Sequence, residues 1–302
     1  MMHPRKAMTP ARAMIIAATG GHNILLVGPL GTGKTALAQW MARLLSPLTD
    51  KEAYEVTAIH TARGGAVPAV RPFRAPHHTV GIAGLIGGGT AARPGEVSLA
   101  HNGVLLLDEL PEFRRLHLEA IAGVLSDGQV TVSKGGASVR FPARPAVVVG
   151  AMNPCPCGWA GVEGWRRCIC SARDTQAYRA RIPAALLRSF DICVRLDSPA
   201  ASGLPAVDSP EGAALAAQVA HAQARAMARG GLNGRLSGVQ LAADPYRWDA
   251  QDLAPTEGMS AGAFERLLRV ARTIADLDNS DDVRAGHVTE ALQLCPEVSY
   301  GA

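Results

Sequence analysis

One octapeptide near the start of the chain has the residue types and the spacing of a phosphate-binding loop. Residues 28–35 read Gly-Pro-Leu-Gly-Thr-Gly-Lys-Thr, which fits the pattern G-x-x-x-x-G-K-S/T. Glycines let backbone N–H groups converge on phosphate oxygens, and the helix that follows points its positive end at them. Lys34 is predicted to reach the β- and γ-phosphates and Thr35 to hold Mg²⁺. The predicted binding residues of this loop are Gly28, Gly31, Thr32, Gly33, Lys34 and Thr35.

Two acidic residues end the apolar run at 104–107. Asp108 is predicted to bind Mg²⁺, directly or through water, and Glu109 to polarise an attacking water molecule. Asn153 follows a third apolar run and is predicted to orient that water; the alternative for Asn153 is a turn residue before a proline. Lys34, Glu109 and Asn153 are therefore the catalytic candidates, and the predicted chemistry is the hydrolysis of a nucleoside triphosphate.

Short apolar strands that alternate with helices must position these residues. The runs at 24–27, 104–107 and 146–149 have the length and composition of buried parallel strands. A helix is predicted over 113–125, with the core residues Phe113, Leu116, Ile121 and Leu125. This alternation predicts an α/β fold with a parallel sheet flanked by helices. A glycine-rich turn that binds nothing is the alternative for 28–35, but a loop that follows a strand and opens a helix favours phosphate binding.

Changes in composition divide the chain into a core and a helical region. Residues 1–197 are predicted to form the nucleotide-binding core, with an insertion rich in Gly, Pro and Arg at about 62–95. Two β-prone runs on either side of Lys-Gly-Gly-Ala predict a hairpin at about 129–141. Residues 198–212, rich in Pro, Ala, Ser and Gly, are predicted to be a linker. Apolar residues at helical spacing then predict a small all-α lid domain over 213–302.

Bulk composition excludes several classes of protein. An apolar fraction of 48% in 302 residues supports the cores of about two domains. Aromatic residues make up 4%, which argues against an aromatic platform for base stacking. The net charge of +4 permits contact with a polyanion without requiring it. No apolar run approaches the ~20 residues needed to span a bilayer, so we expect a cytoplasmic protein without a membrane partner.

Four of the six cysteines form two closely spaced pairs. Cys155 and Cys157, with Cys168 and Cys170, give the pattern C-x-C-x10-C-x-C. Cysteines of a cytoplasmic protein are metal ligands or thiols more often than disulfides, and four thiolates can close a tetrahedral zinc site. The spacing is tighter than that of the common C-x-x-C pairs. A structural Zn²⁺ is predicted, with reduced thiols in a loop as the alternative.

Longer stretches around these motifs resemble the ComM/YifB family of magnesium-chelatase-like AAA+ ATPases. The matching stretches are residues 20–28, 71–79, 87–89, 93–103, 108–113, 151–158 and 268–277. The likeness extends from about residue 11 to residue 294. It implies an AAA+ core with ATP and Mg²⁺ as its ligands, a homo-oligomer in the form of a hexameric ring, and action on DNA by translocation or branch migration. Family members usually carry an N-terminal Lon-like domain, which we expect this chain to lack.

The chain departs from the family pattern at two arginines. Members read Leu-Leu-Asp-Arg-hydrophobic-Asp where residues 186–191 read Leu-Leu-Arg-Ser-Phe-Asp. The arginine that the resemblance implies as a finger acting in trans therefore falls on Ser189, and Arg188, one position early, is the candidate replacement. A shift of one residue turns a helical side chain by about 100°. The lid motif Ser-Ala-Arg has Gly262 at its arginine position, so we expect nucleotide binding to be kept and hydrolysis to be weak.

The insertion and the hairpin carry candidates for DNA contact and for metal binding. Arg74 in the insertion and Lys134 and Arg140 on the hairpin are candidates for sequence-independent contacts with DNA phosphates, with a solvated surface as the alternative. His77 and His78 are assigned to the insertion, with metal binding as the less favoured alternative.

Two functions remain open from the sequence. The first function is an ATP-driven, ring-forming DNA translocase. The second is a nucleotide-gated module that assembles with or remodels a partner protein and hydrolyses little ATP, which the departures from the family favour.

Overall fold

The structure, a computed structural model, describes residues 9–89, 92–134, 137–162, 166–197, 204–242 and 259–295. The strands are β1 (Ile24–Val27), β2 (Phe73–Arg74), β3 (Gly87–Gly88), β4 (Arg93–Pro94), β5 (Val104–Leu107), β6 (Gln129–Lys134), β7 (Ala137–Pro142), β8 (Val147–Met152) and β9 (Ile192–Arg195). The helices are α1 (Pro10–Gly20), α2 (Lys34–Ala42), α3 (Asp50–Arg63), α4 (Ile82–Leu85), α5 (Glu96–Leu99), α6 (Arg115–Asp127), α7 (Ala172–Arg179), α8 (Ala184–Leu187), α9 (Pro210–Ala228), α10 (Gly238–Ala242), α11 (Ala261–Leu277) and α12 (Ala285–Leu292).

A five-stranded parallel sheet in the order β2-β5-β8-β1-β9 forms the centre of the core. β1 pairs with two neighbours, so that Ile24 lies opposite Val149 on one side and Ile192 on the other. β1, β5 and β8 are buried along their whole length, as expected for parallel strands covered on both faces. Their carboxyl ends share one edge of the sheet, where open α/β sheets bind ligands. The predicted α/β core with a flanked parallel sheet and a helical C-terminal region is confirmed.

Helices cover the sheet on both faces. Ile24 and Leu26 pack into an apolar cluster with residues of α1, α2 and α11, whereas Leu25 and Val27 pack into a second cluster with residues of α6. Successive side chains of a strand point to opposite faces, which explains this division. The helical C-terminal region therefore packs against the same face of the sheet as α1 and α2.

The register of α6 differs from the prediction. The helix begins at Arg115, after a 3₁₀ turn at Leu110–Glu112, rather than at residue 113. Leu118 and Ile121 face the sheet and are fully buried, whereas Leu116 is 75% exposed. Side chains two positions apart on a helix are separated by about 200° around its axis, so Leu116 points away from the core when Leu118 points into it. The prediction of Leu116 as a core residue was wrong.

Several elements lie where the sequence predicts none. The polar helix α3 carries a capping box in which Thr49 and Glu52 satisfy each other's backbone N–H groups. Within the segment predicted as an insertion, β2 joins the sheet, with Phe73 opposite Val104. α9 begins at Pro210, inside the segment predicted as a linker. A serine cap and a proline at the first turn explain that start.

A buried ion pair organises the helical region. The guanidinium of Arg272 is fully buried and lies 3.2 Å from the Asp276 carboxylate. Arg272 also donates to the backbone carbonyl of Asp281 at 2.6 Å, and Asn233 donates to Asp276 at 2.8 Å. These partners compensate two charges that would otherwise be costly to bury. None of the helices in the described part of the chain combines the length and apolar character that a membrane crossing requires.

Candidate functional site

The glycine-rich loop joins β1 to α2 at the carboxyl edge of the sheet. Gly31 and Gly33 both have φ near +84°, a conformation that glycine adopts without strain. A Cβ at Gly28 would lie 2.6 Å from the backbone oxygen of Leu196, so this position has no room for a side chain. Thr32 is buried, and its hydroxyl donates to the carbonyl of Pro29 at 2.8 Å. This hydrogen bond of the buried Thr32 side chain therefore stabilises the turn.

The side chain of Lys34 lies within the curl of this loop. Its Nζ donates to the carbonyl oxygens of Gly28 at 2.7 Å and Pro29 at 2.8 Å, and to Oδ1 of Asn153 at 3.4 Å. Burial lowers the pKa of Lys34, although the two carboxylates that follow β5 act in the opposite direction. The loop thus holds an ammonium group at the place where the pattern requires a cation for phosphates.

A hydroxyl and a carboxylate meet across the edge of the sheet. Thr35 Oγ1 donates to Asp108 Oδ2 at 2.6 Å, and the other oxygen of Asp108 accepts the backbone N–H of Glu109 at 2.9 Å. Both Thr35 and Asp108 offer oxygen ligands of the kind that Mg²⁺ prefers. The structure brings together the two residues predicted to hold Mg²⁺.

A histidine of the insertion contacts Glu109. The backbone of Glu109 is left-handed, with φ of 52°, and its Oε2 lies 3.2 Å from His78 Nδ1. His78 also stacks on His77 and meets the edge of Phe113. The sequence analysis assigned His78 only to the insertion. A signal for its proximity exists, because His78 follows β2, which pairs with the strand that ends before Glu109.

The predicted catalytic residues line one cavity of about 350 Å³. Lys34 lines it from the end of the glycine loop, Glu109 from the turn after β5, and Asn153 from directly after β8. The lining residues are Leu30, Gly31, Gly33, Lys34, Thr35, Ala36, Asp108, Glu109, Met152 and Asn153. We call this space the nucleotide cavity. Its walls combine a buried cation, two carboxylates and an amide, which is the set of groups that phosphoryl transfer uses.

The segment after Asn153 gathers four thiols. The Sγ atoms of Cys155, Cys157, Cys168 and Cys170 all lie within 4.8 Å of one another. Cys155 is buried and the other three are half-buried. The two pairs come from the two ends of one loop, as the sequence spacing predicted. We call these residues the cysteine cluster.

The positions that depart from the family pattern lie outside the nucleotide cavity. Arg188 is exposed at the end of α8 and lines a separate hollow with Arg235 and Arg269. The hydroxyl of Ser189 donates to the carbonyl of Leu186 at 2.7 Å, within its own turn. A Cβ on Gly262 would lie 3.8 Å from a guanidinium nitrogen of Arg266, one turn further along α11.

The three candidates for DNA contact divide into two groups. Arg74 makes a bidentate ion pair with Glu96, with distances of 2.6 and 2.7 Å, which neutralises its charge. Arg140 is exposed on β7, opposite Thr131 in the hairpin. Lys134 ends β6 on the same hairpin. The hairpin therefore carries two of the three candidates.

Comparison with known proteins gives consistent matches over most of the chain. The family described as "Magnesium chelatase, subunit ChlI" matches residues 5–203, and "Magnesium chelatase, subunit ChlI C-terminal" matches residues 210–294. A protein named YifB from Salmonella typhimurium is 38% identical over 294 residues, and competence protein ComM from Haemophilus influenzae is 37% identical over 295 residues. Each alignment covers 93% of this chain and 57% of the relative. The chain thus spans little more than half the length of these relatives.

A more distant match is the magnesium-chelatase 38 kDa subunit from Acidiphilium rubrum. It is 28% identical over 172 residues, which cover 47% of this chain and 49% of the subunit. Both the near and the distant matches agree with the family that the sequence motifs indicated.

Proposed function

Since the chain belongs to the family of the magnesium chelatase subunit ChlI, we propose that it is an AAA+ ATPase that binds ATP and Mg²⁺ in the nucleotide cavity. The observation that carries this proposal is the meeting of Thr35 and Asp108 at 2.6 Å beside the buried ammonium of Lys34. A strand end or a glycine turn with another purpose would not need these three groups at one edge of the sheet. The phosphates of a bound nucleotide would replace the two carbonyl oxygens as the partners of the Lys34 ammonium, and their negative charge would pair with it.

Each side chain of the cavity has a role in this proposal. Lys34 binds the β- and γ-phosphates and neutralises charge that develops during transfer of the γ-phosphoryl group. Thr35 and Asp108 would hold Mg²⁺, which supplies charge stabilisation and orients the phosphates. Glu109 polarises the attacking water, and the amide of Asn153, already 3.4 Å from Lys34 Nζ, orients it. The reaction is hydrolysis of ATP to ADP and phosphate.

His78 is proposed as a positioning residue for Glu109. Its Nδ1 lies 3.2 Å from the Glu109 carboxylate, and its ring is supported by His77 and Phe113. Because the pair is partly exposed, its contribution to the orientation of Glu109 is modest. Through His78, the insertion is in contact with the residue that acts on water.

Ring formation and action on DNA complete the proposal. Arg140, exposed on β7, and Lys134, at the end of β6, give the hairpin cationic residues that suit contact with a phosphate backbone without reading sequence. Relatives at 37–38% identity include a protein named for competence. We propose a hexameric ring in the cytoplasm that translocates along DNA or drives branch migration, with Arg188 reaching the nucleotide of a neighbouring subunit.

A second function follows from the positions of Ser189 and Gly262. If Arg188 does not replace the missing finger, the chain binds ATP and hydrolyses it slowly, because a finger is worth about 10³–10⁵ in rate. The chain would then act as a nucleotide-gated module that assembles with or remodels a partner protein.

The experiment that tests the proposal is ATP hydrolysis by the purified chain with and without single-stranded and forked DNA, beside a Lys34→Ala control. DNA-stimulated hydrolysis that this substitution abolishes supports the motor. Tight binding of ATP without turnover in any condition supports the gated module and contradicts the motor. Absence of ATP binding contradicts both functions.

A further inference from the structure

We propose that the cysteine cluster binds one Zn²⁺ and that this ion holds Asn153 in place at the nucleotide cavity. The first half of the proposal is independent of the function proposed above. The second half rests on that function, because it assigns Asn153 a role in hydrolysis.

The distances among three of the sulfur atoms suit a single tetrahedral ion, and the fourth sulfur, that of Cys170, lies within 4.8 Å of each of them. With Zn–S bonds of about 2.3 Å, the sulfurs of a regular tetrahedron are about 3.8 Å apart. The Sγ atom of Cys155 lies 3.4 Å from that of Cys157 and 3.7 Å from that of Cys168, and Cys157 and Cys168 are 3.6 Å apart. A disulfide needs a separation near 2.05 Å, so these are not disulfide distances. A four-iron cluster binds each thiolate to a different iron and needs a wider cage.

The backbone around the cluster is folded as a ligand loop. Cys155 Sγ accepts the backbone N–H of Ala160 at 3.3 Å, and Gly158 donates to the carbonyl of Cys155 at 3.0 Å. Gly158 and Gly161 have φ of +88° and +71°, conformations that let the chain turn back within a few residues. Hydrogen bonds to a ligating sulfur orient it and stabilise its negative charge.

Positive side chains adjoin the cluster. Four thiolates around Zn²⁺ carry a net charge of about −2, which favours nearby cations. Arg179 lines a hollow together with Cys168 and Cys170, and Arg195 donates to the carbonyl of Ala160 at 3.5 Å. The surroundings therefore match the charge of a zinc-bound cluster.

The cysteine cluster connects the residues that follow Asn153 with the residues that precede α7. The loop leaves β8 through Asn153, and α7 begins directly after Cys170. On α7, the buried phenol of Tyr178 lies close to the backbone of Asn153, and Arg179 Nε donates to the carbonyl of Pro154 at 3.4 Å. Burial, with the charge of a nearby carboxylate, raises the pKa of Tyr178 to about 12, so the phenol stays neutral at physiological pH. An ion in the cluster thus fixes both segments that support Asn153.

Metal content tests the first half of the proposal. We expect about one zinc per chain by elemental analysis of protein purified without added metal and dialysed against a weak chelator. Cys157→Ser and Cys168→Ser should each lose this zinc, whereas the matched control Cys295→Ser, which alters a cysteine outside the cluster, should keep it. Iron in place of zinc, a wild-type chain that takes up no zinc from a zinc buffer, or retention of zinc by both cluster variants would overturn the proposal.

Spectroscopy keeps this test decisive if the serine variants fail to fold. Exchange of the wild-type protein with Co²⁺ should produce the absorption bands of a tetrahedral four-sulfur site. Bands of an octahedral cobalt ion would contradict the assignment of four thiolate ligands.

Hydrogen exchange tests the second half of the proposal without relying on hydrolysis. Removal of zinc from the wild-type chain should speed exchange of the amide of Asn153 and of the amides in α7, while amides of β1 stay protected. In a hydrolysing protein, the same treatment should lower kcat by between about 10-fold and 100-fold with little change in the Kd for ATP. Unchanged exchange of the Asn153 amide after zinc removal would overturn the link to Asn153, and zinc binding itself would still stand. A wild-type chain that binds zinc without hydrolysing ATP would contradict the proposed ATPase and leave the metal site intact.

Discussion

The carboxyl edge of the sheet around Lys34 and the helix end around Ser189 differ in the polar groups that they offer to a nucleotide. At the sheet edge, Lys34, Thr35 and Asp108 lie within one cavity and contact each other or the loop at 2.6–2.8 Å. At the helix end, the Ser189 hydroxyl bonds within its own turn, and Arg188 faces a separate hollow. Under the proposed function, this difference predicts that binding and hydrolysis of ATP can be separated in this chain, because the groups proposed for binding are all present and the arginines proposed to act between subunits are replaced.

Removal of the Glu109 carboxylate should have the largest effect that is confined to hydrolysis and leaves binding intact. We expect Glu109→Gln to lower kcat by about 10²–10⁴, because the water loses its general base. The Kd for ATP should stay nearly unchanged, since Glu109 does not contact the phosphates in this account. Steady-state kinetics and binding of a fluorescent ATP analogue give the two quantities. Glu112→Gln, a nearby exposed carboxylate, is the matched control. Equal rates for Glu109→Gln and the wild type would contradict its role.

Loss of the Lys34 ammonium should weaken the binding of ATP at the sheet edge. Charged hydrogen bonds contribute about 1.5–3 kcal/mol each, so Lys34→Ala should weaken ATP binding by about 10²-fold and abolish hydrolysis. Lys51→Ala, at an exposed lysine of α3, controls for the loss of one positive charge. Calorimetry with Mg-ATP measures the affinity. An affinity within threefold of the wild type would show that the glycine loop does not bind the phosphates.

The substitution Ser189→Arg should raise the rate of hydrolysis, because it restores the arginine that the family carries at this position. Because a finger in trans is worth about 10³–10⁵ in rate, even a partly aligned one in Ser189→Arg should raise kcat by about tenfold or more. Ser189→Lys adds the same charge without the planar guanidinium and serves as the control. A gain that depends on protein concentration would support action between subunits. No gain in Ser189→Arg under conditions where the chain oligomerises would contradict this reading of Ser189.

Removal of the His78 ring should have the smallest effect. The pair with Glu109 is partly exposed and contributes about 0–1 kcal/mol, so His78→Ala should lower kcat by at most about fivefold with KM unchanged. His78→Asn keeps a hydrogen-bond donor and should restore part of the rate. His77→Ala, which removes the ring beside His78 but keeps the contact of His78 with Glu109, is the comparison variant. If His77→Ala and His78→Ala lower kcat equally, the effect belongs to the insertion as a whole.

The sequence predicts the central strands and the cavity because their signals are local. Apolar runs at 24–27 and 104–107 coincide with β1 and β5, Asp108 and Asn153 follow strands directly, and Lys34 ends the glycine loop that follows β1. Parallel strands bring their carboxyl ends together, so residues far apart in sequence meet without further information. The hairpin follows in the same way from β-prone runs around a glycine pair.

Other features depend on tertiary contacts that no local pattern encodes. β2 has two residues and exists because it pairs with β5, and α3 is too polar for a clear helical period. The register of α6, which exposes Leu116, is set by a 3₁₀ turn that precedes the helix. The pair of His78 with Glu109 arises from the path of the insertion over the sheet edge. These features required the structure.

The most direct test of the central claim measures the affinity for Mg-ATP and the turnover on the same preparation, with Lys34→Ala beside it. We predict saturable binding that Lys34→Ala weakens by about 10²-fold, together with a basal kcat below the range of about 1–10³ s⁻¹ that is common among enzymes. A basal kcat within that range would contradict the claim that the hydrolytic side is impaired. Failure to bind Mg-ATP would contradict the claim that the binding side is complete.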